Sequence, residues 1–349
     1  HREPDLAGGA PVKRGTTDLC LVLAVDKPSG MTSHDVVSRA RRIFGEKRIG
    51  HTGTLDPLAS GVLPLCVGPA TRLDQFLTGH DKSYVVSVVF GAATDTDDCD
   101  GEVIRTGVVP DEVFDPFFAS VFVGGLVGKS KQLPPVYSAI KVGGTKACDA
   151  ARKGRVIDLA PRDIEVYSAE LLGIGGADGT EPARWDIAFK VSKGTYIRAL
   201  ARDIGNSLGC PAHVGALRRT AAGAIGIADC VTLEVLEEMG ERSALDPLKV
   251  LGMRFIYLDD AAAARVRNGN PLDGRAVELF ERRSVDPAAE LCACTAGVRP
   301  SCEPPQNGEV VALVADNRIV ALYEYHVDKG RFAPRCVFPI GVSRGCSDL

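Results

Sequence analysis

No apolar run in the chain approaches the ~20 residues that cross a membrane, and Leu21–Val25 is too short for the core of a signal peptide. Membrane insertion and export are set aside, and a soluble cytoplasmic protein is the expectation. Cys-x-x-Cys pairs are missing as well. The eleven cysteines lie far apart in a chain of 349 residues, long enough to fold without disulfide staples, so they read as reduced thiols. The nearest grouping, Cys292, Cys294 and Cys302, has no neighbouring histidine and lacks the spacing of a zinc site, so no metal is expected. A basic excess is also missing. A net charge of −4 and a pI near 5.9 argue against indiscriminate attraction to nucleic acid.

The distribution of charge says more than its sum. Arg39, Arg41, Arg42, Lys47 and Arg48 are opposed only by Glu46, and Lys129, Lys131, Lys141, Lys146, Arg152, Lys153 and Arg155 only by Asp149. Each cluster is a solvated face by default; two clusters flanking one site are what a phosphate backbone requires. At 45% hydrophobic and 25% charged, the chain has the composition of two globular domains. Their expected bounds are 19–248 and 249–349, after a flexible lead-in over 1–18.

Between the two clusters lies Gly50-His51-Thr52-Gly53-Thr54-Leu55-Asp56-Pro57-Leu58-Ala59-Ser60-Gly61. Pro57 fixes its own φ and biases Asp56 toward an extended conformation, while the glycines permit angles or close approaches that other residues resist. On its own, Asp-Pro is a common way to start a turn. A turn this stiff also suits a carboxylate whose direction matters.

Leu19–Val25 reads as a buried strand. Thr32 or Ser33 then caps a helix whose apolar face is Val36, Val37, Ala40, Ile43 and Phe44, which Gly45 stops, with Arg39 and Arg42 turned to solvent or RNA. Val85–Phe90 and Trp185–Val191 read as strands, and Ile197, Leu200, Ala201, Ile204 and Leu208 as one face of a helix with Arg198 in its first turn. Thr94–Gly101, with its four aspartates, fails as a calcium loop because the twelfth position would be Gly107. It reads as an acidic turn between strands. Val121–Arg155, rich in glycine and proline, has the texture of a long binding excursion, with an RNA-binding insertion expected at 121–155.

His51 through Pro57 matches, without a gap, the motif that carries the essential aspartate in the TruB family of tRNA pseudouridine synthases, and the chain resembles that family in further places. Asp26-Lys27-Pro28 with Gly30-Met31-Thr32-Ser33, Lys82-Ser83-Tyr84, Leu133–Lys141, Lys193-Gly194-Thr195-Tyr196-Ile197-Arg198 and Leu217-Arg218-Arg219 follow in the family's order. The resemblance implies an α+β fold, a mixed and largely antiparallel sheet flanked by helices, with a small C-terminal PUA-like β-barrel. It implies Asp56 as the essential carboxylate, Arg198 as its partner and Tyr84 as the ring that stacks on the uracil. His51, Tyr196, Leu217, Lys27, Arg42 and Lys141 are the expected substrate-binding residues. The expected reaction is isomerisation of the T-loop uridine of tRNA, position 55, without a cofactor. The continuation Leu58-Ala59-Ser60-Gly61-Val62-Leu63-Pro64-Leu65 is similar to the stand-alone bacterial branch, which implies a monomer needing no guide RNA or protein partner. The segment 281–307, with three cysteines, has no counterpart in the resemblance and reads as a surface insertion.

The chemistry suits these residues. Uridine becomes pseudouridine when the N1–C1′ bond breaks, the uracil turns, and C5 joins C1′; nothing is oxidised. A carboxylate serves as covalent partner or positioned base, and an adjacent arginine favours its ionised form. Two other classes compete: a non-catalytic RNA-binding or RNA-folding protein, and a metal-dependent phosphatase using Asp98 and Asp100.

Overall fold

The computed structural model describes residues 17–138, 141–142, 145–146, 159–282 and 298–345. The expected lead-in lies almost wholly outside the described residues, as do Cys292 and Cys294. One sheet organises the rest. Its strands are β1 (Leu21–Lys27), β2 (Ile49–His51), β3 (Ser60–Val67), β4 (Lys82–Phe90), β5 (Gly128–Gln132), β6 (Arg162–Gly175), β7 (Arg184–Val191), β8 (Ala212–Ala222) and the short β9 (Ile225–Gly226), which pairs with β8. They lie in the order β1-β3-β8-β4-β7-β6-β5, with β2 paired to β3. Every pairing along that path is antiparallel except β3–β8, where Arg218 faces Ser60 and Arg219 faces Gly61 in parallel. The sheet is mixed and largely antiparallel, as the resemblance implies.

Side-chain pattern follows position in the sheet. β4 and β7 bury alternate residues, Tyr84, Val86, Val88 and Phe90 on the first and Trp185, Ile187, Phe189 and Val191 on the second, because one of their faces carries the core. Trp185, the single tryptophan, is fully buried and its indole N–H donates to the Val113 carbonyl. β1 and β3 are apolar almost throughout because both of their faces are covered. One face meets Val36, Val37 and Ala40 of α1 (Ser33–Phe44), and the other meets Leu322, Phe338 and Val342 from the C-terminal sheet.

α1 begins at Thr32, whose hydroxyl accepts from the Asp35 amide while the Asp35 carboxylate accepts from Thr32, a capping box contributing about 1 kcal/mol. Its solvent face departs from expectation. Arg39 pairs with Glu234 and Glu237 of the helix Leu233–Met239 at 3.5 and 3.2 Å, and Arg41 donates to the Ile49 carbonyl, leaving Arg42 exposed. The region read as an excursion from Val121 starts as regular structure: Asp115 caps α2 (Pro116–Gly124), and β5 pairs with β6 in register. α3 (Ile197–Ser207) lies against β8, with Leu200, Ala201 and Ile204 in the core.

The second sheet runs Leu272–Asp273, Arg331–Ser343, Arg318–His326, Val310–Ala315, Phe255–Tyr257, Phe280–Arg282, Val298–Pro300. Asp316 and Asn317 form the turn between Val310–Ala315 and Arg318–His326, both with positive φ (50° and 54°), as a tight hairpin requires. No pairing among the described residues joins the two edges of this sheet into a closed barrel.

Candidate active site

Asp56 lies on the turn between β2 and β3, and the backbone of that turn is tied down carbonyl by carbonyl. Arg219 donates to Gly53 and Thr54 (3.0 and 3.4 Å), the Ser33 hydroxyl to Leu55 (3.0 Å) and the Ala59 amide to Asp56 (3.0 Å). The Gly30 amide and the Lys27 ammonium both donate to Pro57 (2.8 and 3.2 Å), and the Ser29 hydroxyl donates to Leu58 (2.8 Å). Ser33 Oγ also accepts from the Leu55 amide at 2.9 Å. A loop fixed in this way loses little further freedom when a ligand arrives.

Lys27, expected to bind substrate, is wholly buried, and its ammonium donates to the carbonyls of Pro28, Met31 and Pro57. All three N–H groups are spent on the protein, so Lys27 supports the loop instead of meeting RNA. Burial pushes its pKa down to about 8, against the pull of the nearby Asp56.

Arg198 Nε lies 2.9 Å from Asp56 Oδ2; the carboxylate is 36% exposed, the arginine 6%. The contact is an ion pair, since the buried Nε–H meets no acceptor at a hydrogen-bonding angle. Nη1 donates to the Thr96 carbonyl (2.8 Å) and Nη2 to the Tyr137 carbonyl (2.9 Å). Asp98 Oδ2 stands 3.5 Å from Nη1, while Oδ1 accepts from the Thr96 hydroxyl (2.6 Å) and the Asp100 amide (3.1 Å). One turn further along α3, Arg202 pairs with Asp97 at 3.0 Å, a residue held at φ 61°. The acidic turn is therefore an anchor for α3. Asp98 is buried and engaged whereas Asp100 is exposed, which removes the pair that a metal-dependent phosphatase would use.

Tyr84, Leu217 and Arg219 share one face of adjacent strands, for Tyr84 is opposite Arg219 and Val86 opposite Leu217. Tyr84 and Leu217 are buried, and burial raises the Tyr84 phenol's pKa, offset in part by the neighbouring Arg219. Tyr196 caps α3, and Gln132 holds it from both sides: the amide oxygen accepts from Tyr196 N (2.9 Å) and the amide nitrogen donates to its carbonyl (3.0 Å). Its phenol is likewise shifted upward by burial, with Arg198 and Asp56 close enough to act on it. His51 is half-buried on β2; burial lowers its pKa, and Nδ1 has no hydrogen-bond partner among the described residues.

The structure thus brings Asp56, Arg198, Tyr84 and Tyr196 together over a rigid floor, with Lys27 beneath. Arg42 stands apart on the exposed end of α1. Lys141 opens a hairpin of 141–142 with 145–146, and its side chain lies outside the described residues. Three contributors were missed in these roles: Asp98, offered by the sequence only as a phosphatase residue, Ser33 as a loop clamp, and Arg219. Nothing in a lone sequence distinguishes the buried Arg219 from its half-buried neighbour Arg218, which pairs with Asp26, although the two-residue period of β8 puts Arg219 on the face of Leu217.

A family model described as TruB family pseudouridylate synthase (N terminal domain) matches residues 41–197, and one described as tRNA pseudouridylate synthase B C-terminal domain matches 198–251. Proteins named tRNA pseudouridine synthase B are similar over most of the chain. That of Geobacillus thermodenitrificans is 42% identical over 71% of this chain and 84% of its own length. That of Deinococcus radiodurans is 40% identical over 73% and 91%, and that of Mycobacteroides abscessus 39% over 88% and 92%. Among solved structures, a H/ACA RNP bound to a substrate RNA containing 2′-deoxyuridine aligns with TM-score 0.60 at 23% identity, over 92% of this chain and 85% of that one. A Cbf5-Nop10-Gar1 complex aligns with TM-score 0.60 at 24% identity, over 94% and 87%; at such identity these two speak for the fold. The class so defined is that of the pseudouridine synthases, which are isomerases. Within it, the chain belongs to the TruB family.

Proposed function

We propose that this protein converts the T-loop uridine of tRNA, position 55, into pseudouridine, with Asp56 as the essential group. The observation that carries the reading is the Asp56–Arg198 ion pair, 2.9 Å long and set on a loop whose carbonyls are all engaged from Gly53 to Leu58. The curated relatives' name, tRNA pseudouridine synthase B, supports the substrate.

In this reading the uridine leaves its stack, at a cost of about a few kcal/mol. Stacking on Tyr84, about 1–3 kcal/mol, offsets part of that cost, and phosphate contacts from the basic segments supply more. We assign His51 to support of the displaced base, Tyr196 and Leu217 to the uracil pocket, and Arg42 and Lys141 to the phosphate backbone. Arg198 balances the Asp56 charge and fixes its direction while the glycosidic bond breaks and C5 joins C1′. Residues 19–248 form the catalytic domain, with its RNA-binding insertion at about 121–155, and 249–349 a PUA-like RNA-binding domain. The protein works in the cytoplasm as a monomer, with no cofactor, guide RNA or protein partner. No helix among the described residues is long and apolar enough to cross a membrane.

The test is to map pseudouridine in a tRNA transcript after incubation with the protein. Modification at position 55, lost when that uridine is replaced by cytidine, is the expected result. Modification elsewhere, or none, contradicts the proposed target.

A further inference from the structure

Arg219 is the largest charged side chain that the core closes over, only 1% exposed, and no carboxylate is paired with it among the described residues. Its guanidinium is instead distributed over backbone. Nε donates to the Val62 carbonyl at 2.8 Å, Nη2 to Gly53 at 3.0 Å and Nη1 to Thr54 at 3.4 Å. These acceptors lie on both sides of Asp56 in the chain. The arginine's own backbone is pressed against Gly61, where a Cβ would come within 2.1 Å of the Arg219 carbonyl. In the opposite direction Arg219 is in register with Tyr84 on β4, and its guanidinium acts on the Tyr84 phenol. Lys82, two residues before Tyr84, spends its ammonium on the Thr78 and His80 carbonyls, so it does not take over the task.

We propose that Arg219 is a positioning residue for the isomerisation: it fixes, through one planar fork, the distance between the Asp56 loop and the Tyr84 ring. A buried guanidinium suits this because it remains charged and its donors are rigidly arranged, whereas a lysine offers one flexible point. The inference rests on the reading of Asp56 and Tyr84 as the groups that meet the uridine. A loop displaced by about 1 Å from its productive position costs on the order of 10²-fold in rate.

The test uses Arg219→Lys in the full chain, with single-turnover rates at saturating tRNA, RNA affinity by filter binding, and thermal unfolding. The expected result is a rate about 10²-fold lower, RNA affinity within about threefold of the parent and a retained cooperative transition. In the Tyr84→Leu background the same change should have a much smaller effect, because the ring that Arg219 positions is already gone. A parent-like rate in Arg219→Lys overturns the proposal, as does an additive effect in the double variant. Should Arg219→Lys fail to fold, Arg219→Gln, which keeps an amide donor, gives the same readout; failure of both to fold assigns Arg219 to the fold alone and also overturns it. Asp56→Asn is assayed alongside. If that variant remains active, the reading of the site fails; if it is dead while Arg219→Lys is unimpaired, only the positioning role fails.

Discussion

Asp56 and Asp98 face each other across a single guanidinium: Arg198 meets the first through Nε at 2.9 Å and the second through Nη1 at 3.5 Å. One of these carboxylates is partly open to solvent and the other is sealed, so the exposed one is available for chemistry while the buried one holds the arginine.

Asp98→Asn separates the two functions. The amide oxygen still accepts from Thr96 and Asp100, but the second negative charge is lost. Turnover at saturating tRNA should fall about 10- to 100-fold with RNA affinity unchanged. A parent-like rate would show that Asp98 serves the turn alone.

Arg198→Ala should impair chemistry more than folding. It leaves the Thr96 and Tyr137 carbonyls without their donor, a loss of about 1–3 kcal/mol for each group that stays buried. Single-turnover rates should drop at least ~10²-fold while a cooperative thermal transition survives. Collapse of that transition would make Arg198 a structural residue first.

Two glycines in the site region should respond differently to alanine. At Gly61, φ is 103° and a Cβ would lie 2.1 Å from the Arg219 carbonyl, so backbone must move; at Gly30, φ is 87° but nothing stands within 4 Å. Gly30→Ala should cost about 1–3 kcal/mol from backbone strain, and Gly61→Ala distinctly more. Urea unfolding of both variants measures the difference, and equal losses would contradict the close approach.

Lys27 gives a pH signature. Its folded-state pKa, about 8, lies below the ordinary 10.5 because burial penalises the charge. Between those values the unfolded chain binds more protons, so this lysine's contribution makes stability rise with pH, while below about 8 its penalty is constant. Lys82 titrates in the same window. Cys20, Cys66 and Cys230, whose thiols burial pushes up to about 12, work in the other direction above their ordinary value. The thiols are common to both proteins, so the comparison of interest is parent against Lys27→Met. From about pH 8 upward the parent should gain thermal stability relative to the variant. A constant difference between the two melting curves would contradict the assigned shift.

What was legible in the sequence was local. The Asp56 turn, the Thr32 cap, the Arg198 position in the first turn of α3, and the strands β4 and β7 all follow from spacings of a few residues. The contacts that complete the site span much longer separations: Arg198 reaches Thr96 from 102 residues away, and Arg219 reaches Gly53 from 166. The second depends on β8 lying in parallel beside β3, a register no local pattern announces. Lys27 shows the same limit, since a lysine in a turn reads as exposed until the loop carbonyls close around it. The expected C-terminal barrel shows it too: among the described residues no pairing closes the second sheet, and closure depends on how distant strand edges meet.

The most direct test of the account is tritium release from a tRNA transcript labelled at uridine C5, comparing the parent with Asp56→Asn in the presence of a chelator. C5 gives up its hydrogen only when the new bond to C1′ forms. Release of about one equivalent per target uridine by the parent, and none by an Asp56→Asn variant that still binds the RNA, is the predicted result. Release by both proteins, or by neither while both bind, would contradict the central claim that this chain isomerises uridine through Asp56.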